Sequence, residues 1–259
     1  MEKLTFPKMT APSEVSCTEY MQSRADYWNS LPGNLKGYEC SECRNKGFIA
    51  FIEDGFEIKR PCKCMKVRDT LRRIHESGLS ELLRACTFQN FETTEPFQEH
   101  MKRSALEFVK RKFGCFVACG QSGCGKTHIC TAIVGGMIKQ GLSARYLVWR
   151  EEAGRLKSHA ADTDYPALIT PYKQADVLYI DDLFKTKELS DISSADVKLA
   201  FELLDHRDRN RLITVISTEW TLQQIAQVDE AIAGRIMQMS KGYRFTIGKD
   251  PKKNYRLRE

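Results

Sequence analysis

The stretch Gly120–Thr127, GQSGCGKT, constrains this chain more tightly than any other, because it belongs where a strand ends and a helix begins. It follows the apolar run CFVAC, opens the helical pattern THICTAIVGGMIKQ, and matches G-x-x-x-x-G-K-[ST]. Glycines there let the backbone take positive φ and approach an anion closely, so that successive N–H groups point at it. The positive end of the following helix adds to that field. Gly120, Gln121, Ser122, Gly123, Cys124, Gly125, Lys126, Thr127 and His128 are therefore expected to form the phosphate-binding loop of an ATP site. Lys126 reaches the β- and γ-phosphates, and the Thr127 hydroxyl ligates Mg²⁺.

Such a site needs a second acid on the metal side, and VLYIDD supplies one. Asp181 ends an apolar strand at the carboxyl edge of the sheet, where ligands bind in folds of this kind. Asp181 is assigned to Mg²⁺ and Asp182 to polarising the attacking water.

At 259 residues the chain can hold one full core and a smaller accessory module. With 42% hydrophobic and 29% charged residues, disorder is not the default. No apolar run approaches the roughly 20 residues that span a bilayer, and MEKLTFPKMTAPSEVSC lacks the plan of a signal peptide. A cytoplasmic protein without membrane contact is expected. The net charge of +6 permits nucleic-acid binding without requiring it.

Ten cysteines in a reducing compartment call for something other than disulfides. Cys40, Cys43, Cys62 and Cys64 form C-x2-C-x18-C-x-C, two close thiolate pairs suited to a closed, structural Zn²⁺ site. Lys59, Arg60 and Lys63 are expected to offset that anionic cluster. Cys115, Cys119, Cys124 and Cys130 read as small core hydrophobes.

The fold class is α/β: a phosphate-loop core with a parallel sheet, plus a small N-terminal zinc-binding module. Residues 1–78 form the N-terminal helical and zinc module, 79–97 a connector, and 98–259 the ATPase domain. In the first, a helix over SCTEYMQSRADYWNSL ends at Pro32-Gly33, and two short strands meet at Asp54-Gly55, a favoured hairpin turn. A charged helix then stops at Gly78. In the last, short apolar strands (CFVAC, ARYLVW, VLYIDD, RLITVIST) alternate with helices, which implies a parallel sheet covered on both faces. Ser193 and Asp196 have capping-box spacing before a helix expected to bury Val197, Phe201 and Leu204. Ser217, Thr218 and Glu219 end the last of those strands, beside the acid-tipped one, where a polar group can sense a γ-phosphate.

Taken together, CTFQNFE, GQSGCGKTH, VLYIDDL, ITVIST, AGRI and NYRLR resemble the AAA+ ATPases of the bacterial and phage replicative-helicase loader type, the DnaC/DnaI group, over roughly residues 80–259. The zinc-binding N-terminus looks like that of DnaI-type and phage members. By this resemblance the N-terminal module grips a DnaB-type hexameric helicase, and the ATPase part binds ATP and single-stranded DNA. Arg235 matches the arginine finger given to a neighbour's γ-phosphate, so an ATP-dependent homo-oligomer is implied. Arg256 matches the sensor-2 arginine, and Phe88 and Phe91 match the segment near the adenine. Family members often carry asparagine where this chain has Glu219. A carboxylate beside a γ-phosphate is unfavourable unless Mg²⁺ or an arginine compensates, so Thr218 and Ser217 stand as candidates beside it.

Three other readings share parts of this pattern. An IstB-like transposition helper ATPase has the same core but remodels target DNA for a transposase. A small-molecule kinase predicts an acceptor pocket and lid arginines within one subunit. A non-enzymatic zinc adaptor for DNA leaves Lys126, Thr127 and Asp181 without a purpose. Lys241, Lys249, Lys252 and Lys253 are candidates for DNA contact by charge alone.

Overall fold

The computed structural model describes residues 16–36, 38–76, 80–250 and 253–255. Gly78, Lys252, Arg256 and the first fifteen residues lie outside them. The chain divides into two compact units, Met1–Arg68 and Asp69–Glu259, and the division falls within a helix, Cys64–Glu76, instead of at residue 78.

In the first unit, α1 (Cys17–Ser30) starts at Ser16, whose hydroxyl accepts from the Glu19 N–H at 3.2 Å while Glu19 Oε2 accepts from the Ser16 N–H at 2.9 Å. This reciprocal cap satisfies two donors that the helix leaves open. Strands β1 (Phe48–Glu53) and β2 (Phe56–Pro61) pair antiparallel with Glu53 opposite Phe56. Asp54 and Gly55 both take positive φ, 50° and 79°, as a two-residue hairpin turn requires. Asn29 ties α1 to β1 by donating to the Ala50 carbonyl and accepting from its N–H, both at 2.9 Å. The Trp28 ring carries two ammonium groups, those of Lys46 at 4.8 Å and Lys59 at 4.5 Å. The helix Cys64–Glu76, α2, follows.

The second unit is α/β. Its strands are β3 (Cys115–Gly120), β4 (Ala144–Val148), β5 (Val177–Asp181), β6 (Ile213–Thr218) and β7 (Arg244–Ile247), in the order β4-β5-β6-β3-β7, with every pair parallel. All six residues of β3 and of β6 are buried, as strands covered on both faces must be. Cys115, Val117 and Cys119 point into the larger core, with Leu147, Leu178, Ile180 and Ile216. The alternate residue Phe116 meets Phe108 of α4 (Pro96–Arg111) on the opposite face, ring centres 5.7 Å apart.

Three sequence expectations are corrected. The connector contains a short helix, α3 (Ser80–Ala85). Strand β7 was missed, because KGYRF reads as the tail of an apolar helical stripe; with only Ile247 buried it has little hydrophobic signature. On α8 (Ser194–Arg209), capped as expected by Ser193 and Asp196, the buried face is Leu199, Ala200, Leu203 and Leu204, whereas Phe201 is 38% exposed.

Arg207, at the end of α8, is fully buried and, among the described residues, forms no ion pair with a carboxylate. Its guanidinium donates to the carbonyls of Tyr172 (2.9 Å), Lys173 (3.1 Å), Ala175 (2.9 Å) and Ile213 (2.5 Å), and to the Thr214 hydroxyl (3.1 Å). It thus neutralises the carboxyl end of α7 (Tyr165–Gln174) and joins it to the starts of β5 and β6. Burial pushes this guanidinium down to about 9, so the cost of burying its charge is fully present below that pH and fades only above it. Arg207→Ala is expected to lose about 3 kcal/mol of stability, since several carbonyls become unpaired at once; the urea midpoint of unfolding measures it.

Candidate nucleotide site and cysteine cluster

Between β3 and α5 (Lys126–Lys139), the phosphate loop turns on glycines in the left-handed region: Gly120 (φ 107°), Gly123 (75°) and Gly125 (93°). A side chain at Gly120 has no room, because the Ile247 backbone lies against it. The Lys126 ammonium bridges the loop, donating to the carbonyls of Gly120 at 2.9 Å and Gln121 at 2.7 Å. The Gln121 side chain donates to the Asp250 carbonyl at 2.8 Å and accepts from the Asp250 N–H at 2.5 Å. Cys124 is buried, its thiol 2.9 Å from the Gln121 carbonyl.

The sheet order places β6 between the loop strand and β5, and three strands then converge on Asp181. Its Oδ1 accepts from the hydroxyls of Thr127 (3.3 Å), Tyr179 (2.7 Å) and Ser217, and its Oδ2 from Tyr146 (2.6 Å). Burial, then the Asp181 charge, raises the Tyr146 phenol far above its usual range and keeps it a donor. Ser217 also accepts from the Asp182 N–H at 3.0 Å. Of the three sensor candidates, Ser217 holds both acids of the pair. Thr218 is buried and donates to the Leu183 carbonyl at 2.8 Å, which removes it from the nucleotide.

Glu219 faces the cleft and is compensated by Lys185, with which it forms a close ion pair; Lys185 also lies 3.7 Å from Asp182. Burial raises the Glu219 carboxyl, but the Lys185 hydrogen bond and charge outweigh it and leave it below its usual value. Asp182, in the left-handed region at φ 56°, is pushed up, mainly by burial.

A cleft of about 440 Å³ opens here, large enough for a nucleotide. Ser122, Gly123, Gly125, Lys126, Thr127 and His128 line it, as do Asp182, Lys185 and Glu219. Asn90, Phe91, Glu92 and Tyr255 line it as well. Phe91 packs edge-on to His128, ring centres 5.2 Å apart, and His128 Nε2 lies 2.9 Å from the Thr87 carbonyl. Phe88 instead packs toward Gly136 of α5, away from the cleft lining. Tyr255 donates its N–H to the Gly123 carbonyl at 2.9 Å, and its hydroxyl meets Thr94 at 2.8 Å and Gln98. Arg235, on α10 (Glu230–Met239), is not among the residues lining the cleft; it pairs with Asp205 at 2.7 Å and Asp208 at 3.7 Å, over the Phe201 ring.

In the first unit, the Sγ atoms of Cys40, Cys43, Cys62 and Cys64 lie within 4.8 Å of one another, with Cys40–Cys62 at 3.7 Å and Cys43–Cys64 at 3.5 Å. A tetrahedral ion with metal–sulfur bonds of about 2.3 Å requires sulfur–sulfur edges of about 3.8 Å, so the four residues fit Zn²⁺. The Gly47 N–H donates to Cys43 Sγ at 3.3 Å. Two of the three cations expected beside the cluster point elsewhere: Lys59 lies over Trp28, and Arg60 bonds Glu53 at 2.7 Å. Arg68 is the one that hydrogen-bonds Cys64.

Residues 63–239, well over half of the chain, match the family of IstB-like ATP binding proteins. The chain belongs to that family. A relative by sequence is the phage-like element PBSX protein XkdC of Bacillus subtilis, 28% identical over 232 residues, covering 85% of this chain and 86% of XkdC. Two solved structures share the fold of this IstB-like protein. The DnaC helicase loader has a TM-score of 0.58 at 17% identity, over 65% of this chain and 99% of the other. DnaI has a TM-score of 0.54 at 22% identity, over 65% and 92%. The α/β architecture expected from the sequence is thereby found, and with it the fold of DnaC and DnaI.

Lys185 was not singled out from the sequence, though it follows the IDD motif by only three residues. Lys185→Ala is expected to weaken ATP binding about tenfold, because it leaves two carboxylates facing the phosphates. Lys185→Ala/Glu219→Gln should recover most of that loss, as titration of a fluorescent ATP analogue would show.

Proposed function

We propose that this protein is a Mg²⁺-dependent ATPase that loads a DnaB-type replicative helicase onto single-stranded DNA. The observation that carries the catalytic part is the convergence of Thr127, Asp181 and Asp182 beside the Lys126 loop. In this reading Thr127 and Asp181 would hold Mg²⁺, which would neutralise charge on the phosphates. Lys126 leaves its two loop carbonyls for the β- and γ-phosphate oxygens. Asp182, its carboxyl raised by burial, orients and polarises the attacking water. Ser217 fixes both acids and is taken as the γ-phosphate sensor among the three candidates. Phe91 and Tyr255 flank the base, and Arg256 is assigned to the phosphates from the tail.

Arg235 is proposed as the finger given to a neighbouring subunit, in an ATP-dependent homo-oligomer. Asp205 and Asp208 hold it in the isolated chain, so assembly must exchange those carboxylates for the neighbour's phosphate. Arg235→Ala should leave ATP binding intact and lower DNA-stimulated turnover by about 10³-fold, the scale of an arginine finger; unchanged turnover would remove Arg235 from the site.

The helicase is assigned to the first unit, residues 1–78 in the sequence partition, followed by the connector 79–97 and the ATPase domain 98–259. Tyr20, Tyr27, Leu31, Phe48, Phe51 and Phe56 are exposed large apolar side chains of that unit, Phe56 at 71%. Exposed rings in this number suit a protein partner. Zn²⁺ on the four cysteines would fix the hairpin that presents them. Chelation should release about one zinc per chain by elemental analysis and alter Trp28 fluorescence, since a structural zinc supplies much of the folding energy of so small a unit.

The family match keeps a second reading in view, an IstB-like helper that prepares target DNA for a transposase. Co-purification with candidate DnaB-type helicases, with and without ATP, separates the two. Nucleotide-dependent capture of a helicase, lost on mutation of the exposed rings, supports the loader; capture of a transposase alone favours the helper. No helix among the described residues is long and apolar enough to cross a membrane.

A further inference from the structure

The end of the sheet opposite the phosphate loop carries a charge pattern that the nucleotide site does not use. Three turns meet there. The α4–β3 turn brings Lys110, Arg111, Lys112 and Phe113; the α10–β7 turn brings Lys241, Tyr243 and Arg244; the α8–β6 turn brings Arg211. Their adjacency is fixed by backbone bonds: the Gly114 carbonyl accepts from the Thr214 N–H at 3.0 Å, and the Tyr243 carbonyl from the Val117 N–H at 2.9 Å. All six cations are exposed, and among the described residues none forms an ion pair with a carboxylate. The nearest acid in sequence on α8, Asp208, faces Arg235 at 3.7 Å, and Glu107 on α4 forms no ion pair with Arg111.

Two aromatic rings sit inside this cationic field. The Arg111 guanidinium lies 5.4 Å from the Phe113 ring centre and 5.3 Å from that of Tyr243. Phe113 is 43% exposed, and Tyr243 is backed by Phe108 at 5.2 Å. A purely solvated charge run needs no exposed ring. Cations alone suit any polyanion, but cations around an accessible ring suit a strand whose bases are free to stack.

We infer that this end of the sheet, centred on Arg111, Phe113 and Lys241, is a binding surface for single-stranded nucleic acid. The inference rests on the DNA-binding part of the proposed function and gives it a location. Lys241 was a candidate by charge alone; the geometry adds the α4–β3 turn, with its ring, which sequence reading passed over. The surface is separated from the phosphate loop by the length of β3, about 20 Å. Strand binding and nucleotide binding can therefore be altered independently.

The test uses the full chain and fluorescein-labelled oligothymidylate, read by anisotropy with a non-hydrolysable ATP analogue present. A matched abasic strand and a duplex serve as controls. Phe113→Ala is expected to weaken oligothymidylate binding about tenfold and leave the abasic strand unaffected. The triple variant Lys110→Glu/Lys112→Glu/Lys241→Glu should weaken both single strands and flatten the salt dependence. Both variants should keep wild-type binding of the ATP analogue, which reports that the unit is folded. Wild-type oligothymidylate affinity in the triple variant would overturn this surface while leaving DNA binding elsewhere intact. Equal losses on the abasic strand in Phe113→Ala, or a preference for duplex, would overturn the single-strand assignment. Failure of the wild-type protein to bind any strand would remove the DNA-binding reading itself.

Discussion

The second unit is organised around one carboxylate. Asp181 stands at the end of β5 and receives hydroxyl hydrogen bonds from α5, β4, β6 and its own strand, so four elements agree on its position. Such agreement requires the strand order seen here, with β6 between the loop strand and the acid strand. Because β6 lies directly beside β5, Ser217 reaches both acids. The arrangement fixes the Asp181 carboxylate through neutral hydroxyl donors. Lys185 is left free to screen Asp182 and Glu219, which face the cleft directly.

The motif-bearing parts of the fold were legible because their chemistry is local. GQSGCGKT demands a strand before it and a helix after it, and both are present. Asp54-Gly55 permits little but a tight hairpin, and the paired cysteines come together as spaced. Strand β7 was illegible for the converse reason. Its four residues gain their strand character from pairing with β3, a long-range contact that leaves no alternation in KGYRF.

Side-chain roles were less legible than backbone positions. Spacing put Phe201 on the buried face of α8, yet the helix is rotated so that Leu199 and Leu203 face the core, leaving Phe201 under Arg235. Phe88 and Phe91 are equally apolar in sequence, and only the path of the chain decides which reaches the cleft. Thr218 and Ser217 are adjacent on one strand, so their side chains point to opposite faces and only one can serve the acids. Lys185 and Tyr146 carry no motif; their importance comes from what stands opposite them.

The bond from the Tyr255 N–H to the Gly123 carbonyl makes the carboxy-terminal segment a part of the phosphate loop in mechanical terms. With Asn254 seated on Gly123 and Gln121 clasping Asp250, the segment is stitched along the loop on one side and to α4 through the Tyr255 hydroxyl on the other. A tug on Asn254 or Tyr255 is thus a tug on the Gly123 turn of that loop.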